Sequence, residues 1–165
     1  MKKFLKPGRV VILLSGKHAG KKAVIVKVFY EGSKDRKFGH CLVAGIGRYP
    51  RRVTKKMSDK KIGQRTRIKP FVKYVNFNHF IPTRYMMSSE IDVKGVLRSF
   101  DAQSSFKKDG EMVEGARDPL NNVDFKVELR KKVKKMLEER YRKVDLNDQG
   151  ADNLLLKFFF KPLRF

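Results

Sequence analysis

Two apolar, β-branched runs, Val10–Leu14 and Ala23–Tyr30, stand only eight residues apart, separated by Ser15-Gly16-Lys17-His18-Ala19-Gly20-Lys21-Lys22. A parallel crossover needs a dozen or more residues, so the runs read as antiparallel neighbours joined by a glycine-punctuated basic loop. Phe38–Ile46 reads as a third strand closed by Gly47 and Pro50, and Phe71–Phe77 returns to strand chemistry with aromatics interleaved. Between them, residues 51–69 are too basic for a buried strand, and Lys55–Arg65 reads as a short exposed helix. Ile81-Pro82-Thr83-Arg84-Tyr85 reads as a turn or an extended passage.

The second half follows other rules. Residues 86–117 are acidic, weakly periodic and rich in Ser, Asp and Gly, which predicts an insertion or long loop with room for a short strand at Glu90–Leu97. Asp118-Pro119 then offers an N-cap followed by proline at the first helical position. Phe125, Leu129, Val133, Met136/Leu137 and Tyr141 recur at helical spacing. Glu128/Lys132, Glu138/Arg142 and Glu139/Lys143 lie four apart in the favourable order, so a helix is expected over about 119–144. Asn147–Gly150 breaks it, and the remainder of 145–165 is expected to be an extended, aromatic and basic tail, part of Leu154–Phe165 packing on the chain's own fold and the last residues meeting partners. The organisation is a strand-rich unit over 1–85, the 86–117 segment, a 118–144 helix and the tail: a mainly β fold with an α appendage.

Charge divides the chain along the same lines. Residues 1–85 carry 23 basic and 3 acidic side chains, 86–125 carry 5 and 8, and 126–165 carry 12 and 6. The net charge of +23 repels itself in a compact state, so a polyanion is the expected companion of the first half. The 41% hydrophobic content, with 13 Phe, opposes a disordered basic tail. One cysteine, Cys41, leaves no internal disulfide framework and fits a reducing compartment. His18, His40 and His79 stand too far apart to suggest a metal site. No apolar run approaches the ~20 residues of a membrane span, and Lys6-Pro7-Gly8-Arg9 interrupts the basic start before a signal-type apolar stretch forms. An intracellular, soluble chain is expected, with no cofactor, no membrane partner and no small-molecule substrate.

Three patterns imitate catalytic or cofactor motifs. Gly16 to Lys22 has three residues between its glycines where a P-loop needs four, and Lys22 stands in place of the magnesium-binding hydroxyl. Gly45-Ile46-Gly47 begins like a dinucleotide fingerprint, but Pro50 takes the third glycine position. His40-Cys41 are adjacent in a predicted strand, so they point to opposite faces and form no dyad; an exposed His40 and a half-buried Cys41 are expected.

The strongest positive signal is a cationic stretch from Arg48 to Lys69, followed by Phe71, Tyr74, Phe77, His79 and Phe80. Lys and Arg neutralise phosphates and release counterions, while aromatics either stack on bases or fill a core. Core filling is the preferred reading of these aromatics, and nucleic acid the preferred reading of the charges.

The loop with Gly20 before Lys21-Lys22, followed by Ala23-Val-Ile-Val-Lys-Val28, resembles a KOW motif, although many such motifs carry a second glycine where Ala23 stands. Lys6-Pro-Gly-Arg-Val-Val11, Lys22-Ala-Val-Ile-Val-Lys27, Leu42-Val-Ala-Gly-Ile46, Arg48-Tyr-Pro-Arg-Arg-Val-Thr54, Ile81-Pro-Thr-Arg-Tyr85, Glu138-Glu-Arg-Tyr141 and Leu163-Arg-Phe165 follow in one order. Together they resemble the eukaryotic large-subunit ribosomal protein family L-twenty-seven-e, with the likeness thinning over about 87–117 and 145–157. The resemblance implies a small SH3-like β-barrel followed by a C-terminal helix. It also implies a non-catalytic structural constituent of the cytosolic large ribosomal subunit, bound to large-subunit ribosomal RNA and neighbouring ribosomal proteins, with nuclear or nucleolar passage during assembly.

On this reading Lys17, Lys21, Lys22, Arg48, Arg51, Arg52, Lys55, Lys56, Arg65, Arg67 and Lys69 meet the RNA backbone, where they neutralise and position with little base readout. His18 and Tyr49 are candidates for stacking or polar contact, and Gly20 for the turn. A KOW-type transcription elongation module and a basic membrane-surface protein are the rival readings. The first usually sits in longer chains, and the second rests only on the Leu154–Phe160 run. An enzyme has the weakest support.

Overall fold

The computed structural model describes residues 4–33, 36–87, 120, 123–143 and 151–163. Five strands form one antiparallel sheet: β1 (Arg9–Leu13), β2 (Lys22–Phe29), β3 (His40–Arg48), β4 (Lys69–Asn76) and β5 (Phe80–Met86), in the order β4-β3-β2-β1-β5. The short helix α1 (Asp59–Arg65) buries no residue, in keeping with its charge. Strand pairing extends the 81–85 passage into β5, with Val11 opposite Pro82 and Ile12 opposite Ile81.

Alternation along the strands produces two apolar cores. Val11, Leu13, Ala23, Ile25, Cys41, Val43, Phe71 and Phe80 cluster on one face. Phe71 and Phe80 come from the two opposite edge strands, so the sheet curls over this cluster into a small β-barrel-like domain. Val10, Val24, Leu42, Ala44 and Ile46 lie on the other face, under helices α2 (Val123–Lys143) and α3 (Ala151–Phe160).

Helix α2 presents Leu129, Val133 and Leu137 to this second core, with Phe125, Met136 and Tyr141 packed beside them, as the spacing predicts. Lys132 pairs with Glu128 at 3.6 Å. Glu138 turns instead to Lys134 at 3.8 Å, and accepts the backbone N–H of Ile68 at 3.0 Å, which ties the helix to the start of β4. The predicted Asp118-Pro119 start, the 86–117 segment from residue 88 onward and the Asn147–Gly150 break lie outside the described residues.

The tail corrects an expectation. Ala151–Phe160 is helical, and Leu156, Phe159 and Phe160 are buried against the sheet and α2. Burying each is worth roughly 1.5–3 kcal/mol, and an apolar run dense enough to be buried helps select the helix that brings it to the core. Pro162 follows shortly after the helix ends.

His40 is also corrected. It is 1% exposed, stacked on Phe29 at 4.8 Å and edge-on to Tyr74 at 5.5 Å, with Nδ1 2.8 Å from the Phe38 carbonyl. Cys41 sits on the opposite face, wholly buried, and burial pushes its thiol up to about 12. A thiol so placed is an inert core group rather than a nucleophile.

Candidate nucleic-acid interface

The β1–β2 loop closes as a tight turn. Gly20 donates to the Leu13 carbonyl at 2.7 Å, and Lys21 to the His18 carbonyl at 3.1 Å. Gly16 and Gly20 hold φ of +80° and +70°, the left-handed region that β-branched residues avoid. The turn lays the His18 ring flat on Phe71, with centroids 3.9 Å apart and planes 8° apart. A side chain at Gly47 would come within 3.4 Å of that ring and 3.3 Å of the Lys69 carbonyl, so glycine there admits the stack. Burial, then Lys73, Lys17 and Lys21 in turn, holds the His18 imidazole below its usual 6.5. The shift reports a concentration of positive charge around the loop.

Beside the loop lies a groove of about 570 Å³ lined by Arg48, Tyr49, Arg51, Lys61, Gln64, Arg65, Arg67 and Lys69. Six of these side chains are cationic and none is acidic. Local bonding fixes its walls. The Arg51 N–H donates to the Arg65 carbonyl at 2.8 Å, and the Arg65 Nε donates to the Arg52 carbonyl at 2.8 Å, which anchors the 50–57 segment on the end of α1. Arg48 and Lys69 are register partners across β3 and β4. The Lys21 ammonium stands 5.5 Å from the centre of the Tyr49 ring, so loop and groove form one continuous basic surface.

Lys17, Arg48, Arg51, Arg52, Lys55, Lys56, Arg67 and Lys69 are exposed, and Lys21 and Arg65 are half-buried. Lys22 leaves the candidate set. It is 2% exposed, and its ammonium donates to the carbonyls of Phe158 and Lys161 while lying 3.8 Å from the centre of the Phe158 ring. Burial pushes it down to about 8. Lys22 therefore fastens the end of α3 to the sheet. Tyr49 is likewise committed: its hydroxyl accepts the Lys22 backbone N–H at 3.0 Å, and burial raises it above the usual tyrosine value.

Lys61, Gln64 and Lys73 were absent from the sequence-based set. Lys61 and Arg65 are one helical turn apart, and Lys73 shares the face of Phe71 and Lys69 along β4, so the two periodicities carried the signal. Among the described residues no cluster of three or more His, Cys, Asp or Glu is placed to hold a metal, and no helix is long and apolar enough to cross a membrane.

Residues 10–165 match the model of the ribosomal L27e protein family. The chain belongs to that family. A Tetrahymena thermophila relative named large ribosomal subunit protein eL27 is 47% identical over 165 residues, with both chains covered completely. Relatives from Pisum sativum, named eL27, and Saccharomyces cerevisiae, named eL27B, are each 42% identical with the same coverage. Membership of the L27e family agrees with the observed architecture of a small β-barrel-like domain and a C-terminal helix.

Proposed function

We propose that this chain is a structural, non-enzymatic constituent of the large ribosomal subunit that clamps folded large-subunit ribosomal RNA through its phosphates. The single observation that carries the RNA contact is the groove with six cations and no carboxylate, continuous with the β1–β2 loop. Lys17, Lys21, Arg48, Arg51, Arg65, Arg67 and Lys69 neutralise phosphates there, and Lys55 and Lys56 extend the field along the exposed segment before α1, while Arg52 lines the opposite side of the 50–53 segment. The loop glycines and the anchored 50–57 segment preorganise the charges, so little ordering is needed when RNA arrives. The loop performs the part expected of a KOW turn. The protein works in the cytoplasmic ribosome beside other large-subunit proteins, after nuclear or nucleolar passage during assembly.

The test is the salt dependence of binding to structured RNA. With roughly 8–10 phosphate contacts, log affinity falls against log salt with a slope of about −6 to −9. A slope shallower than about −2 overturns the clamp.

A further inference from the structure

A second cleft, of about 990 Å³, opens on the other side of residues 50–53 from the cationic groove. Pro50, Arg52 and Val53 form one wall with Tyr141 of α2, and Lys157, Phe158 and Phe160 of α3 with Lys161, Pro162 and Leu163 beyond it complete the cleft. Its volume lies at the upper end of the ~300–1,000 Å³ of ordinary ligand pockets, which suits several residues of chain better than one small group.

The chemistry of the lining discriminates between kinds of occupant. Lys22, Arg52, Lys157 and Lys161 supply positive charge, and none of the described lining residues is acidic. Two of the rings also carry contacts within the chain: Phe158 with the Lys22 ammonium at 3.8 Å and with Tyr85 at 4.6 Å, and Tyr141 edge-on with Phe160 at 5.2 Å. Phe160 is itself only 4% exposed. Val53 (38% exposed), Pro162 and Leu163 add an aliphatic and prolyl surface beside the half-buried Tyr141 and Phe158. Branched aliphatic side chains pack on such a mixed aromatic and aliphatic wall.

We infer that this cleft seats an acidic, leucine-type segment of a neighbouring protein, with its apolar side chains on Val53 and Leu163 and its carboxylates toward Arg52, Lys157 and Lys161. The inference rests on the reading that the chain sits among other proteins in a particle. Charge complementarity gives the register, and exclusion of water from the aliphatic wall gives the affinity.

Photocross-linking from inside the cleft tests it. Benzoylphenylalanine is placed at Val53, and separately at Leu163, in the full chain expressed in cells. Cells are irradiated, and the cross-linked peptide is sequenced wherever the protein sediments. The expected result is one protein segment, reached from both positions, that carries aliphatic residues with Asp or Glu beside them. Arg52→Glu should lower the yield from Leu163 several-fold, while Lys131→Glu, on the exposed face of α2 and lining neither groove, leaves it unchanged. Cross-links to RNA only, to this chain itself, or to a segment without acidic residues each overturn the inference, as does the absence of any cross-link. Sedimentation away from large subunits overturns the ribosomal reading instead, so the two failures are distinguishable.

Discussion

The cationic groove and the second cleft share a wall and a positive charge, yet they differ in the apolar surface that stands beside it. Arg51 lines the first, whereas Pro50, Arg52 and Val53 line the second. The first is built from residues 48–69, all local in sequence, and offers less apolar surface beside its charge than the second does. The second joins that segment to residues about a hundred positions later and adds an aliphatic surface to its charge. A polyanion can be recognised by density of charge alone, which a short stretch of sequence supplies. A surface that mixes charge with apolar contact requires the helices to dock first. The second cleft therefore depends on α3, and the first does not.

Removing α3 should break the comparison most severely. Truncation after Asn153 deletes Leu156, Phe159 and Phe160, which are 7%, 1% and 4% exposed. At about 1.5–3 kcal/mol for each, the loss is a large share of a typical domain stability of about 5–15 kcal/mol. A strongly lowered melting temperature of the isolated protein is expected. An unchanged melt would mean that α3 contributes nothing to the fold and that the cleft forms only in the assembled particle.

Two double charge reversals should sharpen the comparison at constant net charge. Arg51→Glu with Arg67→Glu acts on the first groove; Arg52→Glu with Lys161→Glu acts on the second. The first pair should weaken binding to structured RNA by about tenfold or more and shrink the salt slope by roughly two. The second pair should change the slope by less than about one. Equal effects would show a diffuse field over the whole surface and no division of labour between the grooves.

Lys22→Met tests the joint between the two. It leaves the Phe158 and Lys161 carbonyls without their donor while keeping much of the side-chain volume. A loss of roughly 1–3 kcal/mol is expected by chemical denaturation, with RNA affinity little changed. A large loss of RNA affinity in a stable variant would return Lys22 to the phosphate-binding set.

Lys22 also shows where the sequence misleads. Lys21-Lys22 read as two equivalent phosphate contacts, but in β2 alternate residues share a face, and Lys22 falls on the face of Val24. The same parity puts His40 with Leu42 and Ala44 rather than in solvent. Pro82 made the 81–85 passage look like a break; β5 is an edge strand, where a missing N–H costs no ladder bond. The α2 helix was legible because Leu129, Val133 and Leu137 stand out against a charged background. Helix α3 was not, since Leu154–Leu156 and Phe158–Phe160 are almost uniformly apolar and show no periodicity. The cationic stretch was legible as a density of charge. Its division between two grooves depends on how the 50–53 segment is held, which no local pattern encodes.

The smallest expected effect is a titration. His18 lies on Phe71 among Lys17, Lys21 and Lys73, and burial with those charges lowers its affinity for a proton in the folded chain. The unfolded chain, with His18 near 6.5, then binds the proton more readily. The contribution of His18 to stability is complete above about 6.5 and falls away as pH drops through the lower folded value. Phosphates on the same lysines reverse the field, so RNA raises the His18 value and the complex takes up a proton. RNA affinity should therefore increase modestly from about pH 7.5 to about pH 5.5, the window that spans the ordinary histidine value. His18→Asn should flatten both profiles. If the variant keeps the wild-type pH dependence of RNA binding, the loop does not face phosphate, and the clamp is confined to the groove between Arg48 and Lys69.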